Sequence, residues 1–115
     1  EVHSVRASEE VLYSLKHGYS GSVDLVWMGA DLRLTLTDLK TRAEDRGVYE
    51  SDRIQVAAYV GAWNELHPSE PIQVATVLVV CEDGTVIEEA VDVDRNYRIF
   101  LHLLSVYNLL DRKGV

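Results

Sequence analysis

The sequence predicts a mixed α/β domain whose elements run strand, strand, strand, helix, strand, strand, helix, with helices packed on a sheet of about five strands. Three observations carry this. Residues 22–39, "SVDLVWMGADLRLTLTDL", form two apolar, β-branched runs split by a Gly-containing turn. Residues 54–63 repeat small and apolar side chains at three- and four-residue steps, the period of a helix. Residues 72–81, "IQVATVLVVC", are almost continuously apolar, as in a strand covered on both faces.

Taken in order, "EVLYSLK" at 10–16 has the Val, Leu and Tyr content of a strand, and "HGYSG" supplies turn residues after it. Strands at about 22–28 and 32–39 follow, joined by "GAD" as a three-residue hairpin connection. The polar "KTRAEDRGVYESD" reads as a loop, and Ser51 or Asp52 as the cap of the first helix. Ile54, Ala57, Ala58 and Ala62 mark one set of its apolar positions, and Val56, Val60 and Trp63 another; "HPSEP" ends it. After the strand at 72–81, "EDGT" is a turn and "VIEEAVDV" alternates as an edge strand does. Asp94 is the expected cap of a last helix over 95–112, where Tyr97, Ile99, Phe100, Leu101, Leu103, Leu104, Val106, Tyr107 and Leu110 cover much of the circumference. The order is βββ-α-ββ-α.

The totals bound what this domain does. At 115 residues, with 47% apolar and 26% charged side chains, the chain suits one globular domain, residues 1–115. No apolar run approaches the roughly 20 residues of a membrane span, and the first residues lack a signal-peptide pattern, so no membrane partner is expected. A single Cys81 excludes an internal disulfide, an iron–sulfur cluster or a Cys-rich zinc site, and a reducing, cytoplasmic setting is the simplest expectation. His3, His17, His67 and His102 stand at no metal-ligand spacing. A net charge of −8 opposes binding to nucleic acid through a broad basic surface. It leaves room for a local acidic site that holds a divalent cation. The chain begins with Glu rather than Met, so part of the parent domain is expected to lie outside it.

The hairpin holds an oddity, since Asp24, Asp38 and Lys40 interrupt strands that are otherwise apolar. With "GAD" as the loop, Met28 faces Leu32, Trp27 faces Arg33, and Val26 faces Leu34. One face then carries Asp24, Val26 and Met28 beside Leu32, Leu34, Leu36, Asp38 and Lys40. Asp24 falls nearly opposite Leu36, one alternation from Asp38. Trp27 opposite Arg33 reads as a cation–π pair. A slip of one residue would separate Asp24 from the other two. An isolated Asp-x-Lys in a strand is usually a surface ion pair, but such a pair needs no second acid. Two carboxylates close together repel unless a cation lies between them, and oxygen ligands with open positions describe a magnesium or manganese site. With a lysine alongside, the set suits metal-assisted phosphodiester hydrolysis.

These residues resemble the PD-(D/E)XK nuclease superfamily, with its restriction-endonuclease-like core, an Asp on one strand and (Asp/Glu)-x-Lys on the next. The resemblance is to RecB-type exonucleases, and within them to the mitochondrial genome maintenance exonuclease and its bacterial and phage relatives. It rests on Glu9, "YSG" at 19–21, "DLKT" at 38–41, "QVAAY" at 55–59 and "YRIFLHLLSVY" at 97–107, in matching order over nearly the whole chain. It implies a magnesium- or manganese-dependent deoxyribonuclease acting on single-stranded DNA or free ends, in repair or recombination. It also implies roles: Glu9, Asp24, Asp38 and the carbonyl of Leu39 as metal ligands, Lys40 as the catalytic lysine, Gln55 reaching the site from the helix, and Tyr59 backing it one turn later. Glu10 competes with Glu9 for the first place. Arg42, Arg46 and Arg53 are the local candidates for phosphate contacts.

The relatives carry helices ahead of the first acidic motif that help form a passage for the strand. This chain starts almost at that motif, so the passage is expected to be absent or supplied by a preceding segment or a partner protein. Two other readings stand beside the exonuclease. One is a non-catalytic scaffold of the same fold that binds protein or nucleic acid; the other is a structure-specific endonuclease.

Overall fold

A computed structural model of the chain describes residues 2–43 and 47–111. Its elements are β1 (Val2–Ser14), β2 (Tyr19–Gly29), β3 (Leu34–Arg42), α1 (Glu50–Leu66), β4 (Val74–Cys81), β5 (Val86–Ala90) and α2 (Val93–Asp111). The five strands form one mixed sheet in sequence order, antiparallel except for β3 and β4. Two parallel neighbours cannot be joined by a tight turn, and α1 is the crossover between them. The expected mixed α/β class and element order are found.

α1 lies between the sheet and α2, which explains why it is buried on several sides. Val56, Val60 and Trp63 join Leu12, Val23, Val26, Leu34, Leu36, Val77 and Val79 in the core. On its outer side Gly61 lets α2 approach, because a Cβ there would sit 2.4 Å from Cζ of Tyr97. Tyr19 pins this layer: its hydroxyl donates to the carbonyl of Ala58 at 2.7 Å and lies 3.2 Å from the Tyr97 hydroxyl. The Phe100 ring meets that of Tyr19 edge-on, with centroids 4.7 Å apart.

Several boundaries differ from expectation. β1 is much longer than 10–16, because pairing with β2 outweighs the polar content of residues 4–9. α1 is capped at Tyr49 rather than at Ser51 or Asp52; Asp52 instead accepts the Tyr49 N–H at 2.8 Å from inside the first turn. α2 begins two residues before the expected 95, with Asp92 rather than Asp94 accepting the Arg95 N–H at 3.2 Å. β4 is not covered on both faces. Ala75, Val77, Val79 and Cys81 lie under α1, whereas on the other face Leu78 is half-buried and Val80 exposed. His67 stacks on Trp63, with ring centroids 3.8 Å apart, and His17 meets the edge of Tyr97. Among the described residues no helix is long and apolar enough to cross a membrane.

Candidate functional site

The β2–β3 hairpin turns over five residues, 29–33, rather than three. Asp31 closes the turn by accepting the Arg33 N–H at 3.0 Å, Leu32 takes a left-handed φ of 62°, and Arg33 pairs with Asp31 at 2.9 Å. The observed register is Met28 with Leu34, Trp27 with Thr35, Val26 with Leu36 and Leu25 with Thr37. It differs by two residues from the expected one. Side chains alternate with period two, so each keeps its face. Trp27 therefore does not meet Arg33; its indole N–H donates to the Thr37 hydroxyl at 2.9 Å. The next pair along the ladder brings Asp24 opposite Asp38 itself, closer than the sequence suggested.

The two carboxyl groups lie within hydrogen-bonding reach of each other. Asp38 is 3% exposed, and its carboxyl is pushed up to about 6, first by burial and then by the hydrogen bond and charge of Asp24, against the pull of Lys40. Oδ2 of Asp38 accepts no hydrogen bond, although Lys40 Nζ stands 3.2 Å away in an ion pair. Lys40 donates instead to Oε1 of Gln55 at 2.8 Å, and the Leu39 N–H donates to Oδ2 of Asp24 at 2.8 Å. The Tyr59 hydroxyl has its pKa raised by burial and by the charges of Asp38 and Asp24. Four of the expected positions, Asp24, Asp38, Lys40 and Gln55, thus meet midway along β2 and β3 beside α1, and Tyr59 lies one helical turn on from Gln55.

Glu9 is not part of that cluster. It is exposed on β1 at the level of Asp24, between the pairs Ser8–Leu25 and Glu10–Val23, with a left-handed φ of 51°. That conformation breaks the alternation: Ala7 and Leu12, an odd number of residues apart, are both buried, and on β2 so are Val23 and Val26, three residues apart. Glu10 is also exposed. Leu39 has its side chain 49% exposed on the opposite face of the sheet. Two of the three expected phosphate-binding arginines are already engaged. Arg42 is paired with Asp52 and lies over the Tyr49 ring, 4.2 Å from its centroid, and Arg53 is paired with Glu89. Arg46 lies outside the described residues.

The sequence reading overlooked the residues that hold the cluster. Gly21 of "YSG" is one, since a Cβ there would sit 2.5 Å from Cε1 of Tyr59. The motif is a fitting that lets Tyr59 reach the acids while Tyr19 fastens α1 to α2. Asp52 is another. Burial raises its carboxyl, but Arg42, the Tyr49 N–H and the charge of Lys40 outweigh this and hold it low, as an anion. A buried acid one turn into a helix, three residues before Gln55, was the available signal.

Two carboxylates, one with a buried oxygen held only by the Lys40 ion pair, suit magnesium or manganese, which usually bind through one or two protein carboxylates with water and phosphate completing the shell. Among the described residues no group of three or more His, Cys, Asp or Glu side chains is arranged to hold a metal, so Glu9 does not complete the set as placed.

The fold and cluster define an α/β domain with a paired-acid and lysine site midway along β2 and β3. No protein-family model matches the chain, and neither does any curated protein. Among solved structures it is similar to the crystal structure of SSO0001, with a TM-score of 0.56 at 12% identity. The match covers 99% of this chain and 52% of that one, so this chain spans about half the length of that protein. At this identity the likeness is one of fold.

Proposed function

We propose that the chain is a metal-dependent deoxyribonuclease with a PD-(D/E)XK core, a RecB-type exonuclease that hydrolyses phosphodiester bonds of single-stranded DNA. The observation that carries this is the Asp24–Asp38 pair with Lys40 as the ion-pair partner of the buried Asp38 Oδ2, 3.2 Å away. A purely structural role gives no reason to bury Asp38 beside a second, half-buried acid, since a buried carboxylate costs several kcal/mol (order of magnitude) unless compensated. Asp24 and Asp38 are the residues that would hold magnesium or manganese, which when bound polarises the phosphate and lowers the pKa of the attacking water. Lys40, held between Asp38 and Gln55, sets a positive charge where negative charge builds on the phosphate oxygens. Gln55 spends its carbonyl oxygen on Lys40, which leaves its NH₂ free to donate to phosphate. Tyr59 closes the site on the helix side and keeps water from the acids.

The test is cleavage of end-labelled linear single-stranded DNA with manganese, magnesium or EDTA. Wild type is expected to shorten the strand only with metal. Lys40→Ala should lower the rate about 100-fold or more while circular dichroism stays unchanged. Absence of cleavage together with absence of metal binding by calorimetry would overturn the assignment. A non-catalytic binding module is the second reading, favoured by the −8 charge and by the engagement of Arg42 and Arg53 with carboxylates. Cleavage of circular single strands would point to an endonuclease.

A further inference from the structure

A groove of about 540 Å³ runs between α1, the start of β2 and α2. Ile54, Phe100, Leu103 and Leu104 line it, and Gln55 and Tyr59 stand where it meets the acid pair. None of its lining side chains is charged. The groove and the candidate catalytic cluster therefore share two residues, and a molecule seated in one lies against the other.

Charge decides what such a groove can hold. Single-stranded DNA is usually bound through a basic track plus stacking of bases on apolar and aromatic side chains. This chain carries a net charge of −8, and Arg42 and Arg53 are occupied by Asp52 and Glu89. Neutralisation of phosphates thus contributes little near the site, and apolar contact is the term that remains. A phosphate has no reason to enter an uncharged apolar groove, whereas the face of a base does.

We propose that this groove takes an unpaired nucleobase of the strand whose phosphate lies at Asp24 and Asp38, so that the substrate is held through its bases more than through its backbone. The inference rests on the nuclease reading above and specifies its substrate: a base inside a duplex has both faces stacked and its edge paired, so only single-stranded DNA fits. Binding follows salt weakly. Each neutralised phosphate of a single strand contributes a slope of about −0.7 in log affinity against log salt, and a base-held strand has a slope shallower than about −1.

The experiment measures fluorescence anisotropy of a labelled oligo(dT) and of an abasic strand of equal length, in EDTA so that neither is cut, over a range of salt. The base-bearing strand is expected to bind about tenfold or more tightly, as the loss of a single stacked base would give. Leu103 is 53% exposed, so Leu103→Asp leaves the fold intact by circular dichroism while abolishing that preference. Leu109→Asp, at a residue 75% exposed and outside the groove, is the charge-matched control and keeps the preference. Equal affinity for the two strands, alongside metal-dependent cleavage by wild type, overturns the groove and leaves the nuclease standing. A base preference sensitive to Leu103→Asp, with neither cleavage nor calorimetric metal binding by wild type in manganese, supports the groove and overturns the nuclease. If Leu103→Asp changes only the sedimentation of the protein, the groove is a contact between copies and the proposal falls.

Discussion

α1 and α2 have 17 and 19 residues and both are rich in apolar side chains, yet they lead opposite lives. α1 buries Val56, Ala57, Ala58, Val60, Ala62 and Trp63, and even Asp52. α2 buries Asn96 alone, and leaves Leu103, Val106, Tyr107, Leu109 and Leu110 more than half exposed. Composition does not explain the difference; position does. As the crossover between two parallel strands, α1 is held against the sheet on one side and covered by α2 on the other. α2 has α1 and Tyr19 beneath it and ends beyond them. The helix that presents Gln55 and Tyr59 to the acids is thus the rigid one, and the helix that walls the groove is free to adapt.

The strongest way to break the comparison is to cut into each side by the same chemistry. Leu36, fully buried under α1, should cost about 2–5 kcal/mol as Leu36→Ala, whereas Leu110→Ala on the open helix should stay within about 0.5 kcal/mol. Urea unfolding measures both, and equal losses would mean that α2 is covered in solution.

The next effect sharpens the α1 side. In the folded protein Asp38 keeps its proton up to about pH 6, against about 3.8 for the unfolded carboxyl. Between those values the folded state binds more protons, so without metal stability is highest below about pH 4 and falls as pH rises to about 6, then levels from this source. Asp38→Asn should remove that slope in urea titrations made in EDTA. For wild type above pH 6, manganese at about 100 times its dissociation constant should raise stability by about 2.7 kcal/mol, and the variant should gain far less. Asp52 and Glu65, both held low, push the wild-type slope the other way, so the check is the difference between wild type and Asp38→Asn. No difference between about pH 4 and 6 would show that Asp38 is not the protonated partner.

The smallest effect concerns Glu9, the expected ligand that stands apart. Its left-handed backbone favours glycine, so Glu9→Gly should be neutral or stabilising by up to about 1 kcal/mol in thermal unfolding. If cleavage nevertheless collapses, Glu9 reaches the acids once metal is bound; unchanged cleavage assigns the site to Asp24 and Asp38.

Much of the site was legible because strand alternation is forgiving. The turn was misjudged by two residues, and an even error leaves Asp24, Asp38 and Lys40 on one face. Gln55 and Tyr59 came from the family resemblance alone, and helical spacing added only that they stand one turn apart on one face. What could not be read was tertiary. Nothing local says that Asp52 claims Arg42 or that Glu89 claims Arg53, and these two pairs remove the expected phosphate contacts. Nor does the apolar stretch of α2 reveal how little lies beneath it. The face change at Glu9 and Asp24 was equally hidden, since a left-handed glutamate has no sequence signature.

That face change has a further consequence. β1 runs for 13 residues along an edge of the sheet and carries exposed Val5, Val11 and Tyr13. A flat edge of that length, with its N–H and C=O groups unclaimed, is a template on which strands of neighbouring molecules can pair. Register shifts near Val2 and Arg6 and the left-handed turn at Glu9 break the edge into short, differently twisted pieces, and Arg6, Glu9 and Glu10 stud them with charge. The same kink that lets both Val23 and Val26 face the core thereby guards the molecule against edge-to-edge strand addition and the fibres it leads to.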